Sequence, residues 1–151
     1  MSTMETSIDR TTFTITFRRS FEASPEDVFD AWTDPDRIKV WWDPTGTPLA
    51  DCAVDLRPGG SFRFVTASDH GPPFAGVYSS IERPARLVFD AMGAIGTVRL
   101  EAKAGTTSMT VTIRCASAEH LEQFVRLGVD SGTDRTLDNL VAHVTRNLKA
   151  S

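Results

Sequence analysis

The side chains best able to do chemistry are few in this sequence and scattered along it. The histidines are His70 in a Gly-Pro-rich stretch, His120 near an expected helix start, and His143 among polar positions of the last helical segment. No pair of them has a metal-ligand spacing, and all three read as solvated. Cys52 and Cys115 lie far apart, with no CxxC and no histidine at ligand spacing. Neither a zinc site nor a disulfide scaffold is expected from them, and a reducing cytosol suits them best. The sequence holds no GxSxG elbow, no phosphate-binding glycine loop, no dinucleotide fingerprint and no readable catalytic triad. Acid-base chemistry would need a single group in a dry pocket, and Tyr78 or Glu101 could supply it. No catalytic residue, metal or cofactor is therefore assigned, and a binding protein is favoured over an enzyme.

Aromatic residues carry more information. Trp41-Trp42, beside Trp32, is the densest aromatic cluster, and neighbours in a short helix or turn cannot both point into one core. Either one of them lines a pocket or its mouth, or both staple short helices to a sheet. Phe62, Phe64, Phe74, Tyr78, Phe89, Met109 and Phe124 fall on apolar faces, where each is explained by core packing but the set can wall a cavity. The Tyr78 hydroxyl needs a partner if buried and could orient a ligand. Gly128 and Gly132 lie four apart on an otherwise apolar helical stripe, where each costs about 1 kcal/mol of helix propensity relative to alanine. They widen a cavity, allow a kink, or let helix and sheet pack closely. The expected cavity lining is Trp41, Phe64, Phe74, Tyr78, Phe89, Met109, Phe124 and Gly128. Asp130 and Asp134 read as solvent-facing, and Arg57, before Pro58-Gly59-Gly60, as a turn residue in a surface ion pair.

Several elements must position these groups. Residues 1–10 read as a flexible tail, and residues 11–151 as a single domain. Thr12 to Arg18 alternates, with Phe13, Ile15 and Phe17 on one face, which is the period of a half-buried strand. Ser24-Pro25-Glu26-Asp27 starts a helix carrying Val28, Phe29 and Trp32 inward, and Asp34-Pro35-Asp36 opens a second, shorter one. From 50 to 115, strand patterns alternate with short turns, as in an antiparallel meander. From Ser117 the period becomes helical, with Leu121, Phe124 and Val125 on one face, then Leu137, Leu140, Val141, Val144 and Leu148. A bend or break is expected near Gly128 to Gly132. The result is an α+β fold: a curved antiparallel sheet of about six to seven strands gripping a long C-terminal helix, with two short helices after the first strand.

With 151 residues, 40% of them hydrophobic and 24% charged, the chain has the composition of one folded, soluble domain. Its formal net charge of −4 gives no field to gather nucleic acid. The polar start lacks the plan of a signal peptide and no run is apolar enough to span a membrane, so a cytoplasmic location is expected.

Four segments resemble a known family. They are Phe17-Arg18-Arg19-Ser20-Phe21-Glu22-Ala23-Ser24-Pro25-Glu26-Asp27-Val28-Phe29-Asp30-Ala31-Trp32-Thr33-Asp34-Pro35 with Trp41-Trp42, then Asp55-Leu56-Arg57-Pro58-Gly59-Gly60-Ser61-Phe62-Arg63, then Gly76-Val77-Tyr78, and Pro84-Ala85-Arg86-Leu87-Val88-Phe89. From about residue 12 to 148 the chain is similar to the bacterial branch of the START-like, SRPBCC superfamily, in the subgroup named for the activator of heat-shock-protein-90 ATPase. The resemblance implies the helix-grip fold and a cavity between sheet and long helix that holds a hydrophobic or amphipathic small molecule, lipids included. It also implies alternatives, a cyclase- or isomerase-type enzyme using that cavity and a chaperone-related module using the outer sheet face. The longer eukaryotic co-chaperones of the family carry a further N-terminal domain involved in chaperone stimulation, so ATPase activation is not inherited from the name. A homodimer is compatible with the sequence.

Overall fold

The computed structural model describes residues 5–67 and 73–150, with side chains described from 6 to 145 within those ranges; His70 and the side chain of Leu148 fall outside them. Strands β1 (Glu5–Asp9) and β2 (Thr14–Phe21) are followed by helices α1 (Pro25–Thr33) and α2 (Pro35–Trp41). Strands β3 (Asp51–Val54), β4 (Ser61–Val65), β5 (Phe74–Glu82), β6 (Arg86–Ala91), β7 (Ala94–Lys103) and β8 (Thr106–Arg114) come next, then helices α3 (Ala118–Arg126) and α4 (Val129–Ala150). The strands form one sheet in the order β1-β2-β8-β7-β6-β5-β4-β3, and every neighbouring pair is antiparallel. A sheet this wide twists and curls, and α4 lies against β2, α1, α2 and α3 on its concave side. This is the helix-grip architecture expected, with eight strands in place of six or seven.

The extra strand corrects the N-terminal reading. Residues 5–9, taken from the sequence as part of a flexible tail, pair with β2 from Glu5↔Arg18 to Asp9↔Thr14. The turn that brings them back is built by Asp9, whose Oδ1 accepts the backbone N–H groups of Thr11 at 2.8 Å and Thr12 at 3.3 Å. Those bonds hold its carboxyl below the usual carboxylate range. Phe13, expected to alternate with Ile15 and Phe17, instead closes this turn at φ 58° and packs against the edge of the core.

Local sequence explains the helix ends. The Ser24 hydroxyl accepts the N–H of Asp27, Asp34 accepts that of Asp36, and Ser117 that of His120, with Pro25 and Pro35 at the first helical positions. The C-terminal helical region breaks where expected. Leu127 caps α3, Gly128 takes the left-handed conformation at φ +76°, and α4 starts at Val129. The core joins Ile15, Phe17 and Phe21 of β2, Val28 and Phe29 of α1, Leu121 and Phe124 of α3, and Leu137, Leu140 and Val144 of α4.

Candidate functional site

Adjacent residues on a helix are about 100° apart, so the end of α2 throws its two tryptophans in different directions. Trp41 turns inward, 1% exposed, and its Nε1–H donates to the Ala31 carbonyl at 3.0 Å. Its ring meets Trp32 edge-on with centroids 5.1 Å apart. Trp42 is half-buried and reaches the far half of the sheet, with centroids 5.4 Å from Phe64 and 5.1 Å from Phe74. The Trp42 backbone is held from above, where the Thr136 hydroxyl donates to its carbonyl at 3.0 Å and Asn139 Nδ2 donates to that of Asp43, also at 3.0 Å. Helix α4 thus fixes the segment that carries the aromatic wall.

On the sheet, period-2 alternation puts Phe62 and Phe64 of β4, Phe74 and Tyr78 of β5 and Phe89 of β6 on the concave side. Phe62 lies opposite Gly76, and Phe89 opposite Gly96. A Cβ at Gly76 would come within 2.6 Å of the Phe62 ring, and one at Gly96 within 2.5 Å of the Phe89 ring. These glycines let the two rings settle against the backbone of the neighbouring strand, and the rings meet each other edge-on at 5.6 Å. The room-making glycines are therefore on the sheet, where sequence reasoning placed them on the helix.

Two connected spaces result. The outer cavity, about 140 Å³, is walled by Trp32, Trp41, Trp42, Phe74 and Phe89, floored by Ala91, Ala94, Gly96, Val111 and Ile113, and roofed by Phe124, Val129, Thr133, Thr136 and Leu137. Met92, 57% exposed in the β6–β7 turn, stands at its rim. The inner recess, about 30 Å³, shares the three tryptophans, Phe74 and Phe89 with it and adds Phe62, Phe64 and Tyr78. Of the residues expected to line a cavity, Trp41, Phe64, Phe74, Tyr78, Phe89 and Phe124 are in these walls. Met109 and Gly128 are not. Met109 is fully buried beneath Trp32, whose Nε1–H lies 3.4 Å from its sulfur, and Gly128 is spent on the α3–α4 turn. Trp42, expected to compete with Trp41, lines both spaces. The α4 residues Val129, Thr133, Thr136 and Leu137 were not singled out as lining, because nothing local shows that the first turns of α4 stand over an opening.

The comparisons with known proteins agree with this fold. The family pattern of activator of Hsp90 ATPase homolog 1-like proteins matches residues 22–145. The chain belongs to that family. No curated protein matches it. Among solved structures, a protein from Arthrobacter aurescens superposes with a TM-score of 0.84 at 22% identity, over 94% of this chain and 91% of that one. One from Rhodobacter sphaeroides gives 0.83 at 22% identity, over 95% and 99%. An AHSA1-like protein from Aeromonas hydrophila gives 0.72 at 25% identity, over 87% and 93%.

The chemistry available to this family member at its cavity is that of neutral groups. No charged side chain lines either space among the described residues. Tyr78 is 3% exposed, and burial raises its phenol far above the ordinary range, so the hydroxyl stays protonated. Burial likewise pushes the half-buried Cys52 thiol up to about 11, against a smaller opposing pull from Lys39. Glu101, the other acid considered, is exposed on the convex face. No three His, Cys, Asp or Glu side chains come together as a metal site among the described residues, and none of their helices is long and apolar enough to cross a membrane.

Several polar residues depart from the surface roles expected of them. His143 is 6% exposed and accepts from Arg37 Nε at 3.1 Å through its Nε2. His120 is half-buried, its Nδ1 accepting the Ala116 N–H at 3.0 Å. Its Nε2 therefore carries the proton and donates to the Met92 carbonyl at 3.1 Å, which ties the β6–β7 turn to α3. Asp134 pairs with Arg19 at 2.8 Å, below α4. Arg57 keeps its expected role, paired with Asp55 at 2.9 Å on the surface.

Proposed function

We propose that this protein is a cytoplasmic binding module that holds a hydrophobic or amphipathic small molecule between the sheet and α4. The observation that carries the reading is the outer cavity of about 140 Å³, walled by aromatic rings and roofed by the start of α4. An apolar pocket of this kind is stabilised by filling, since its walls otherwise lack contacts on one side. The family and the neighbouring folds support a binding domain in general terms. The enzyme reading has less behind it. Two convergent ionisable groups in the cavity would favour it, and of the two groups considered only the Tyr78 phenol reaches the inner recess, while Glu101 faces away. The outer face of the sheet is a weaker docking surface, because Asp90 separates the exposed Val77 and Ile95 in the strand register.

Native mass spectrometry of protein purified from its own host tests the proposal, with the Ala91→Phe variant beside it. Ala91 borders the outer cavity, and a phenyl ring there would occupy it. An added mass on the parent that is absent from the variant supports the reading. A bare mass for both, together with no shift in Tm from any apolar compound, refutes it.

A further inference from the structure

We infer that the outer cavity takes an uncharged, single-ring aromatic molecule with one hydrogen-bonding substituent, its ring among Trp41, Trp42, Phe74 and Phe89 and its substituent at Thr133. The inference rests on the binding reading above and narrows it by size, charge and polarity.

Size comes first. A dry cavity of about 150 Å³ is known to accept benzene, and the outer cavity, at about 140 Å³, is of that order. The inner recess, at about 30 Å³, adds room for a water molecule or a single substituent atom and not for a second ring. A sterol or a long acyl chain exceeds both spaces together. Charge is excluded next. No Lys, Arg, Asp or Glu lines either space among the described residues, and a carboxylate or ammonium taken there would lose its hydration without gaining a partner. The walls then favour a ring, since aromatic side chains on several sides offer stacked and edge-on contacts that a saturated chain does not use.

The polar end follows from a count of engaged groups. Among the polar groups around the outer cavity, Thr136 donates to the Trp42 carbonyl, Trp41 to the Ala31 carbonyl, and Trp32 faces the Met109 sulfur. Thr145, further along α4, bonds back to the Val141 carbonyl, as helical threonines often do. Thr133 makes no such bond, and its hydroxyl has no hydrogen-bond partner among the described residues while the side chain lines the cavity; the Trp42 Nε1–H, which lines it too, is the other group without one. The indole N–H can only donate, whereas the half-buried Thr133 hydroxyl can both donate and accept, which makes it the place for a ligand's hydroxyl-type substituent.

Methyl-resolved NMR titrations with toluene, phenol, benzoate and dodecanoate test the inference, followed at Val111, Ile113, Val129 and Leu137. Toluene and phenol are expected to shift these methyls, benzoate to bind at least about tenfold more weakly, and dodecanoate to leave them unmoved. Thr133→Val should weaken phenol about fivefold and leave toluene unchanged, the effect of one lost hydrogen bond. Dodecanoate moving the same methyls while the single-ring compounds do not would overturn the inference and leave the binding reading standing. An equal response of phenol and toluene to Thr133→Val, or a phenol-specific loss on Tyr78→Phe in its place, would overturn the assignment of the polar end. If no compound moves any of these methyls, both this inference and the binding reading fall.

Discussion

Phe89 rests against the bare backbone of Gly96, and that pairing sets how far the cavity wall stands back. A methyl group at Gly96 would approach the ring to within 2.5 Å. Gly96→Ala should therefore push Phe89 toward the cavity and cost about 1 to 3 kcal/mol, measured by urea denaturation. Phe89→Leu in the same chain should recover part of that loss, and additive effects would count against a direct clash. Cys52 offers a test of burial by pH. Its thiol is raised to about 11, so alkylation in the folded protein should be slow at pH 8.5 and speed up about tenfold per pH unit toward 11. In urea the same cysteine should react as an ordinary thiol with a pKa near 8.5. The raised value also fixes a sign for stability. Folding favours the neutral thiol, so its contribution is whole below about pH 8.5 and is lost as pH rises through 11. At this scale the aromatic residues were legible in the sequence, because their type and alternation imply burial. The buried Arg19 and His143 were not, since their partners Asp134 and Arg37 lie far away along the chain.

Among the elements, the helix starts were the most readable, because a cap is a local feature: Ser24, Asp34 and Ser117 each bond to an N–H two or three residues on. The edge strand β1 was the least readable. Thr6, Ser7 and Asp9 surround a single apolar residue, Ile8, and such a strand leaves almost no hydrophobic period to detect. The break between α3 and α4 depends on Gly128 at φ +76°. Gly128→Ala should cost about 1 kcal/mol, the usual penalty for a side chain in the left-handed region, while leaving ligand binding intact because Gly128 is outside the cavity wall. A binding loss as large as that of Ala91→Phe would contradict this placement. Helix α4 is also tied to β2 through Arg19, 3% exposed, which pairs with Asp134 at 2.8 Å and lies 3.4 Å from Asp138. The two carboxylates are much more exposed than the arginine, so the pair should respond asymmetrically. Removing both acids with Asp134→Ala and Asp138→Ala leaves a buried cation and should cost about 3 kcal/mol or more. Arg19→Met lets the acids return to water and should cost clearly less. Equal losses in denaturant titrations would mean that the arginine is not desolvated in the folded state.

Across the whole molecule, one asymmetry underlies the proposed function. Helix α4 packs against β2 and sends Leu137, Leu140 and Val144 into the core, while its first turns stand over Ala91, Gly96 and Ile113 without filling the space beneath. Sequence periodicity shows that a helix covers a sheet, and it did so here. It cannot show how much volume remains under the helix, since that is set by crossing angle and by side chains from strands and helices distant in sequence. Met109 illustrates the limit, because an apolar residue of the same strand and pattern as Val111 is sealed beneath Trp32 while Val111 borders the cavity. A partly open core makes stability depend on ligand concentration. A compound that binds only the folded chain adds about 1.4 kcal/mol at ten times its Kd. For a domain of this size that is a rise in Tm of about 3 to 6 °C. Phenol in the low millimolar range should produce such a rise, growing with the logarithm of concentration, and the Ala91→Phe protein should keep its own Tm and show none. A similar rise in both proteins would mean that phenol stabilises the chain from somewhere other than the space under α4.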